Sequence, residues 1–124
     1  MDITPTIPAG KILIQSYGAG RFRAGQAHYA GSVIVFPDRV MPWGVAAPDD
    51  LSIEALAPVL DDPNPVELLL VGLGVEPRPL PKAIRAAVRD RGIAIDGMAT
   101  TAACRTYNIL VGEHRSVAAA LIAV

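Results

Sequence analysis

Cysteine is nearly missing from this sequence: Cys104 stands alone, so no internal disulfide can form, and a reducing setting, the cytoplasm, is expected. With one thiol and only two histidines, His28 and His114, no recognised zinc-ligand spacing can be assembled, and no cofactor is implied. Long apolar runs are missing too. The longest, Val117 to Val124, has eight residues, against the roughly 20 that a helix needs to span a bilayer, so no membrane-spanning segment is expected. Nor is one sign of charge in excess. Eleven Lys and Arg against 12 Asp and Glu make no overall field that would draw the chain onto nucleic acid, and none is expected as a partner. Met1-Asp2-Ile3-Thr4-Pro5 has neither a basic n-region nor an apolar h-region, so no secretion signal or classical transit peptide is expected there.

What remains is the composition of a folded interior. Hydrophobic residues make up 52% of the chain and charged ones 19%, which excludes disorder. A chain of 124 residues can bury one core but not two ordinary ones, so a single domain over residues 1–124 is expected. Lys11 to Tyr17 is rich in β-branched and aromatic side chains and ends at Gly18-Ala19-Gly20, which predicts a strand and a turn. Gly31 to Pro37 repeats the pattern, and Arg39 to Trp43 adds an edge-like piece because it contains proline. Short connections favour antiparallel pairing, so these three segments predict an N-terminal β meander.

From Asp49 the pattern changes. Ser52 can cap a short helix whose apolar positions Ile53, Leu56, Ala57 and Leu60 keep helical spacing, although Pro58 weakens its end. Val66 to Val71 is nearly continuously apolar and stops at Gly72-Leu73-Gly74, as a strand buried on both faces does. Pro81 suits a first helical position and Gly92 a stop, with Leu80, Ile84, Ala87, Val88 and Arg91 on one face. Ile93 to Asp96 predicts a strand, Thr100 or Thr101 can cap a helix running to about Val111, and Arg115 to Val124 predicts a closing strand. The alternation implies helix-covered strands in one sheet, with right-handed crossovers.

The segment Gly97-Met98-Ala99-Thr100-Thr101-Ala102-Ala103-Cys104-Arg105-Thr106-Tyr107-Asn108-Ile109-Leu110 closely resembles the signature helix of a small prokaryotic family of unknown function that includes mitochondrial complex I assembly factor three. Tyr17 to Phe22, the Tyr29-Ala30-Gly31-Ser32 turn, Pro37, Trp43 and the Gly72-Leu73-Gly74 turn appear in the family's order, over nearly the whole chain. The resemblance implies an α/β fold: a mixed central sheet flanked by helices, with an additional N-terminal antiparallel β layer. It implies action through protein partners and supplies no catalytic residue. Two positions depart from the pattern: Leu73 stands where a small hydroxyl residue is usual, and His114 where glycine is.

Four features carry candidate chemistry. Gly72-x-Gly74 ends a strand, but the third glycine of a dinucleotide fingerprint would fall on Pro77, and Pro79 and Pro81 delay the helix; a tight strand exit is the plainer account. On the signature helix, Ala99, Ala102, Thr106, Ile109 and Leu110 share one side, while Thr101, Cys104 and Asn108 share another, small and uncharged. The second side is a candidate pocket, with Cys104 near a helix N-terminus whose dipole favours thiolate; ordinary burial is the competing account. Arg78, Lys82, Arg85 and Arg89, spaced four, three and four apart, predict a basic stripe that is either a solvated face or a docking surface for an acidic partner. Tyr17, Phe22, Tyr29 and Trp43 read as core packing, or as an interface anchor if Phe22 and Trp43 are exposed together. The expectation is therefore a non-enzymatic interaction or assembly-factor-like protein. The alternative is a small-molecule binder or enzyme using Thr101, Cys104 and Asn108.

Overall fold

The structure is a computed structural model and describes residues 10–124. β1 (Ile14–Gly18), β2 (Arg21–Ala24) and β3 (Ala27–Ala30) pair antiparallel in a sheet of their own. Then β4 (Val33–Val35) and β5 (Val40–Pro42) join β6 (Leu68–Gly72), β7 (Ala94–Met98) and β8 (Val117–Leu121) in a five-stranded sheet of order β5-β4-β8-β6-β7. β8 and β7 run parallel to β6, while β4 is antiparallel to β8 and β5. The sheet is thus mixed and the second sheet is the additional N-terminal layer. The expected meander of three segments divides between them: Ile14–Gly18 pairs with Arg21–Ala24, and the Val33–Val35 and Val40–Pro42 hairpin belongs to the central sheet. As expected for a proline-bearing strand, β5 is an edge.

The alternating faces of the central sheet feed two cores. Leu69 and Val71 of β6 turn to one, with Ile34, Ile95, Leu56 and Trp43; Leu70 turns to the other, with Val33, Val35, Tyr17 and Phe22. β6 lies in the sheet interior between β8 and β7, and its double burial accounts for the nearly continuous apolar run of Val66 to Val71, although the strand begins only at Leu68, after the exposed Glu67. Phe22 and Trp43 are buried, and they lie in different cores, so they form no joint exposed anchor.

The helices differ from expectation in detail. The Ser52 Oγ accepts the Ala55 N–H at 3.1 Å, but Ile53 holds the N-cap of the element that follows, a 3-10 turn (Glu54–Leu56) leading into a single turn of helix, α1 (Ala57–Leu60). Pro58 has no N–H to donate to the Glu54 carbonyl, so an α ladder cannot run through it. α2 (Lys82–Arg89) begins after Pro81, whose carbonyl accepts the Arg85 N–H, and presses Ile84 and Val88 into the first core. Arg78 therefore precedes the helix rather than extending its stripe. α3 (Thr100–Gly112) lies on the other side of the sheet, against β8 and β6.

α3 ends in a double reverse bond: the His114 N–H donates to Val111 and the Arg115 N–H to Leu110, both at 2.9 Å, with His114 at φ 61°. That left-handed conformation suits glycine, and a histidine holds it under strain. His114→Gly is expected to raise stability by about 0.5 to 1 kcal/mol, the steric relief being partly offset by the freer unfolded chain. Equal or lower stability in urea melts would show that the imidazole makes compensating contacts.

Candidate functional site

The parallel strands end where three segments meet, and Thr100 ties them together. Its N–H donates to the Gly74 carbonyl at 2.8 Å; its hydroxyl accepts the Gly74 N–H at 3.0 Å and donates to the Ile122 carbonyl at 2.8 Å. Thr100 does not cap its own helix, since Ala99 holds that place without a side-chain bond. A Cβ on Gly72 would stand 2.9 Å from the Thr100 Cα, and Gly74 sits at φ 101°, so both glycines have structural causes in this knot. Leu73 is buried between them in the α2-side core.

Of the candidate pocket residues, Cys104 is 0% exposed, Asn108 is buried and Thr101 is half-buried. The Asn108 amide is spent on both backbone groups of one residue of β1: its Oδ1 accepts the Ile14 N–H at 2.8 Å and its Nδ2 donates to the Ile14 carbonyl at 2.7 Å. It acts here as a substitute strand beside the bulge between Ile14 and Ser16. Tyr107 adds a bond from its hydroxyl to the Ile12 carbonyl at 2.9 Å, and burial raises its pKa. Burial also pushes the Cys104 thiol up to about 12, outweighing the lowering expected near a helix N-terminus, so the neutral thiol prevails near neutral pH. These groups join α3 to the N-terminal sheet. A depression of about 210 Å³ near the C-terminal end of α3 is lined by Lys11, Pro37, Val111, His114, Arg115 and Ser116, and none of the three candidate residues lines it.

The basic residues separate by position. Lys82 and Arg89 are exposed on α2 and Arg85 is half-buried beside them; among the described residues none forms an ion pair. Arg78, in the loop after β6, lies 3.8 Å from the exposed Asp49 carboxylate. Residues 75–91 contain five basic and two acidic side chains in a chain whose total charge is −1, so positive charge is segregated onto this loop and helix. The sequence reading did not anticipate the exposure of two large apolar side chains: Val75, 80% exposed in the same loop, and Ile109, 62% exposed on α3. Their signal was an apolar residue in a proline-rich turn and one on the helix side opposite Ala103 and Tyr107, but only the packing shows which side faces out. No helix among the described residues is long and apolar enough to cross a membrane.

Among the described residues, two sheets, three helices and a helix-to-strand knot define an α/β protein whose most distinctive side chains bind its own backbone. The chain belongs to the family described as protein of unknown function (DUF498/DUF598), which it matches over residues 14–122. It is 36% identical to an uncharacterised protein of Rhodobacter capsulatus, over 92% of this chain and 86% of that one. It is 32% identical to the NADH dehydrogenase [ubiquinone] 1 alpha subcomplex assembly factor 3 of Xenopus tropicalis, over 90% of this chain but only 61% of that one. Among solved structures, one from Bartonella henselae, described as an outer membrane protein, superposes with a TM-score of 0.86 at 37% identity, over 93% of this chain and 97% of its own.

Proposed function

We propose that this chain is a non-enzymatic interaction protein that assists assembly of a membrane or respiratory complex. The observation that carries this reading is its kinship, over 90% of its length, with proteins named as assembly factors of NADH dehydrogenase. The folding roles of Asn108 and Cys104 are in keeping with it, because they leave the outer surface to do the recognising. For that surface we assign the face carrying Lys82, Arg85 and Arg89, with Arg78 beside it, and the partner it fits is an acidic protein surface.

Affinity capture from the native cell, with the chain and its Lys82→Glu/Arg89→Glu variant, tests the reading. Both side chains are exposed, so the variant's stability is expected to stay within about 0.5 kcal/mol. Capture of a membrane- or respiratory-complex subunit is expected from the parent, with a several-fold lower yield from the variant that narrows as salt rises. Equal yields across the salt series would make this face ordinary surface. Capture of no such subunit by either form would count against the assembly reading itself.

A further inference from the structure

Among the described residues β7 closes one side of the central sheet with an unpaired edge. The Ala94 N–H donates to the Glu67 carbonyl at 2.9 Å and the Met98 carbonyl accepts the Leu73 N–H at 2.8 Å. Successive peptide groups point to opposite sides of a strand, so Ala94, Asp96 and Met98 face β6 with their backbone groups, while Ile95 and Gly97 turn N–H and C=O outward. Among the described residues nothing bonds to these four outward groups.

The two faces of β7 are covered unequally. Ile95 enters the core beneath α2, whereas Ala94 and Asp96, on the α3 side, are exposed, because α3 packs chiefly on β8 and β6. The flank of α3 nearest β7 is marked by Thr106, whose hydroxyl lies 3.7 Å from the Met98 sulfur. At helical spacing Ala102, Ile109 and Leu110 share that flank. Asp96 beside it forms no ion pair among the described residues.

We propose that β7 accepts an added strand: an extended segment of a partner protein, pairing with Ile95 and Gly97, laying apolar side chains against the α3 flank and setting a basic one beside Asp96. A helix placed there would leave the four outward backbone groups unpaired. A second copy of β7, paired antiparallel about its centre, would oppose two Asp96 carboxylates. A strand with a basic residue meets both demands, with main-chain bonds supplying affinity and alternate side chains supplying choice.

The added strand rests on the proposed interaction role, but its test contains no cellular client, so strand pairing and client capture can fail separately. The probe is a synthetic, end-blocked peptide alternating valine and threonine about one central lysine, compared with its glutamate counterpart and with a form N-methylated at the residues facing β7. In the isotope-labelled full chain, the lysine peptide is expected to shift the Ile95 and Gly97 amide signals and slow their hydrogen exchange about tenfold or more, as new hydrogen bonds would. N-methylation is expected to weaken binding about tenfold, and the glutamate peptide to bind several-fold more weakly than the lysine one. Asp96→Lys, at an exposed position, should reverse that order. Equal binding by the N-methylated peptide, or no response at Ile95 and Gly97 to millimolar peptide, would overturn the proposal. So would protection of the two amides that grows with protein concentration alone, which would assign the edge to a second copy.

Discussion

Replacing Asn108 by alanine is expected to destabilise the fold by about 3 to 5 kcal/mol, because each buried backbone group left without a partner costs roughly 1 to 3 kcal/mol and this one amide serves two. Both bonds go to Ile14, at 2.8 and 2.7 Å, and Asn108 is only 8% exposed, so bulk water has little access to replace them. Ile14 itself lies at the bulge of β1, where the ladder to β2 is out of step, and its neighbour on the α3 side is a side chain instead of a strand. Urea denaturation gives the loss. Hydrogen exchange gives its location, since the Ile14 N–H should lose protection ahead of the central-sheet amides. A loss under about 1 kcal/mol would mean that an ordered water takes the amide's place.

Ile84→Ala is expected to cost about 2 to 4 kcal/mol through lost burial and an incompletely filled cavity. Ile84 is 4% exposed, one turn before Val88 at 0%, and together they hold α2 against Ile95 and the rest of the first core. The urea midpoint should fall with little change in the slope, because the same surface is exposed on unfolding. The contrast with Lys82→Glu/Arg89→Glu on the opposite face of the same helix is informative: one change acts on the fold and the other on association. A loss below about 0.5 kcal/mol would place Ile84 outside the core.

The two targets are unequally legible in the sequence. Ile84 and Val88 declare their face because Lys82, Arg85 and Arg89 occupy the other, and a polar side fixes which way a helix turns. α3 offers no such contrast. Its sides are both small and largely uncharged, so spacing groups Ala102 with Ile109 and Thr101 with Asn108 without deciding which enters the core; the buried face takes in Cys104 and Asn108 of the second group and adds Ala103 and Tyr107, which belong to neither. β2 and β3 escape a sequence reading because strands of four residues give only two alternations, and in β3 even those are exposed or half-buried. The single helix expected from Ser52 to Leu60 fails at Pro58, where the missing N–H outweighs the helical spacing of the apolar residues around it. The outward peptide groups of Ile95 and Gly97 cannot be read from Ile93 to Asp96, because whether a strand is an edge depends on sheet order, a property of distant pairings.

The place of β8 in that order sets the timetable of synthesis. A ribosome delivers β4 and β5 first, then β6, α2, β7 and α3, and only afterwards the strand that lies between β4 and β6. Until Val117–Leu121 emerges, the two earlier parts of the central sheet have no ladder in common, and Leu70 has no β8 neighbour on its inner side. The register that completes the sheet joins Val33 to Leu121, across most of the described chain, so the entropic cost of closure falls on one late event. During that interval the nascent protein exposes apolar strand edges on both sides of an empty slot, the condition in which chains pair wrongly with their neighbours.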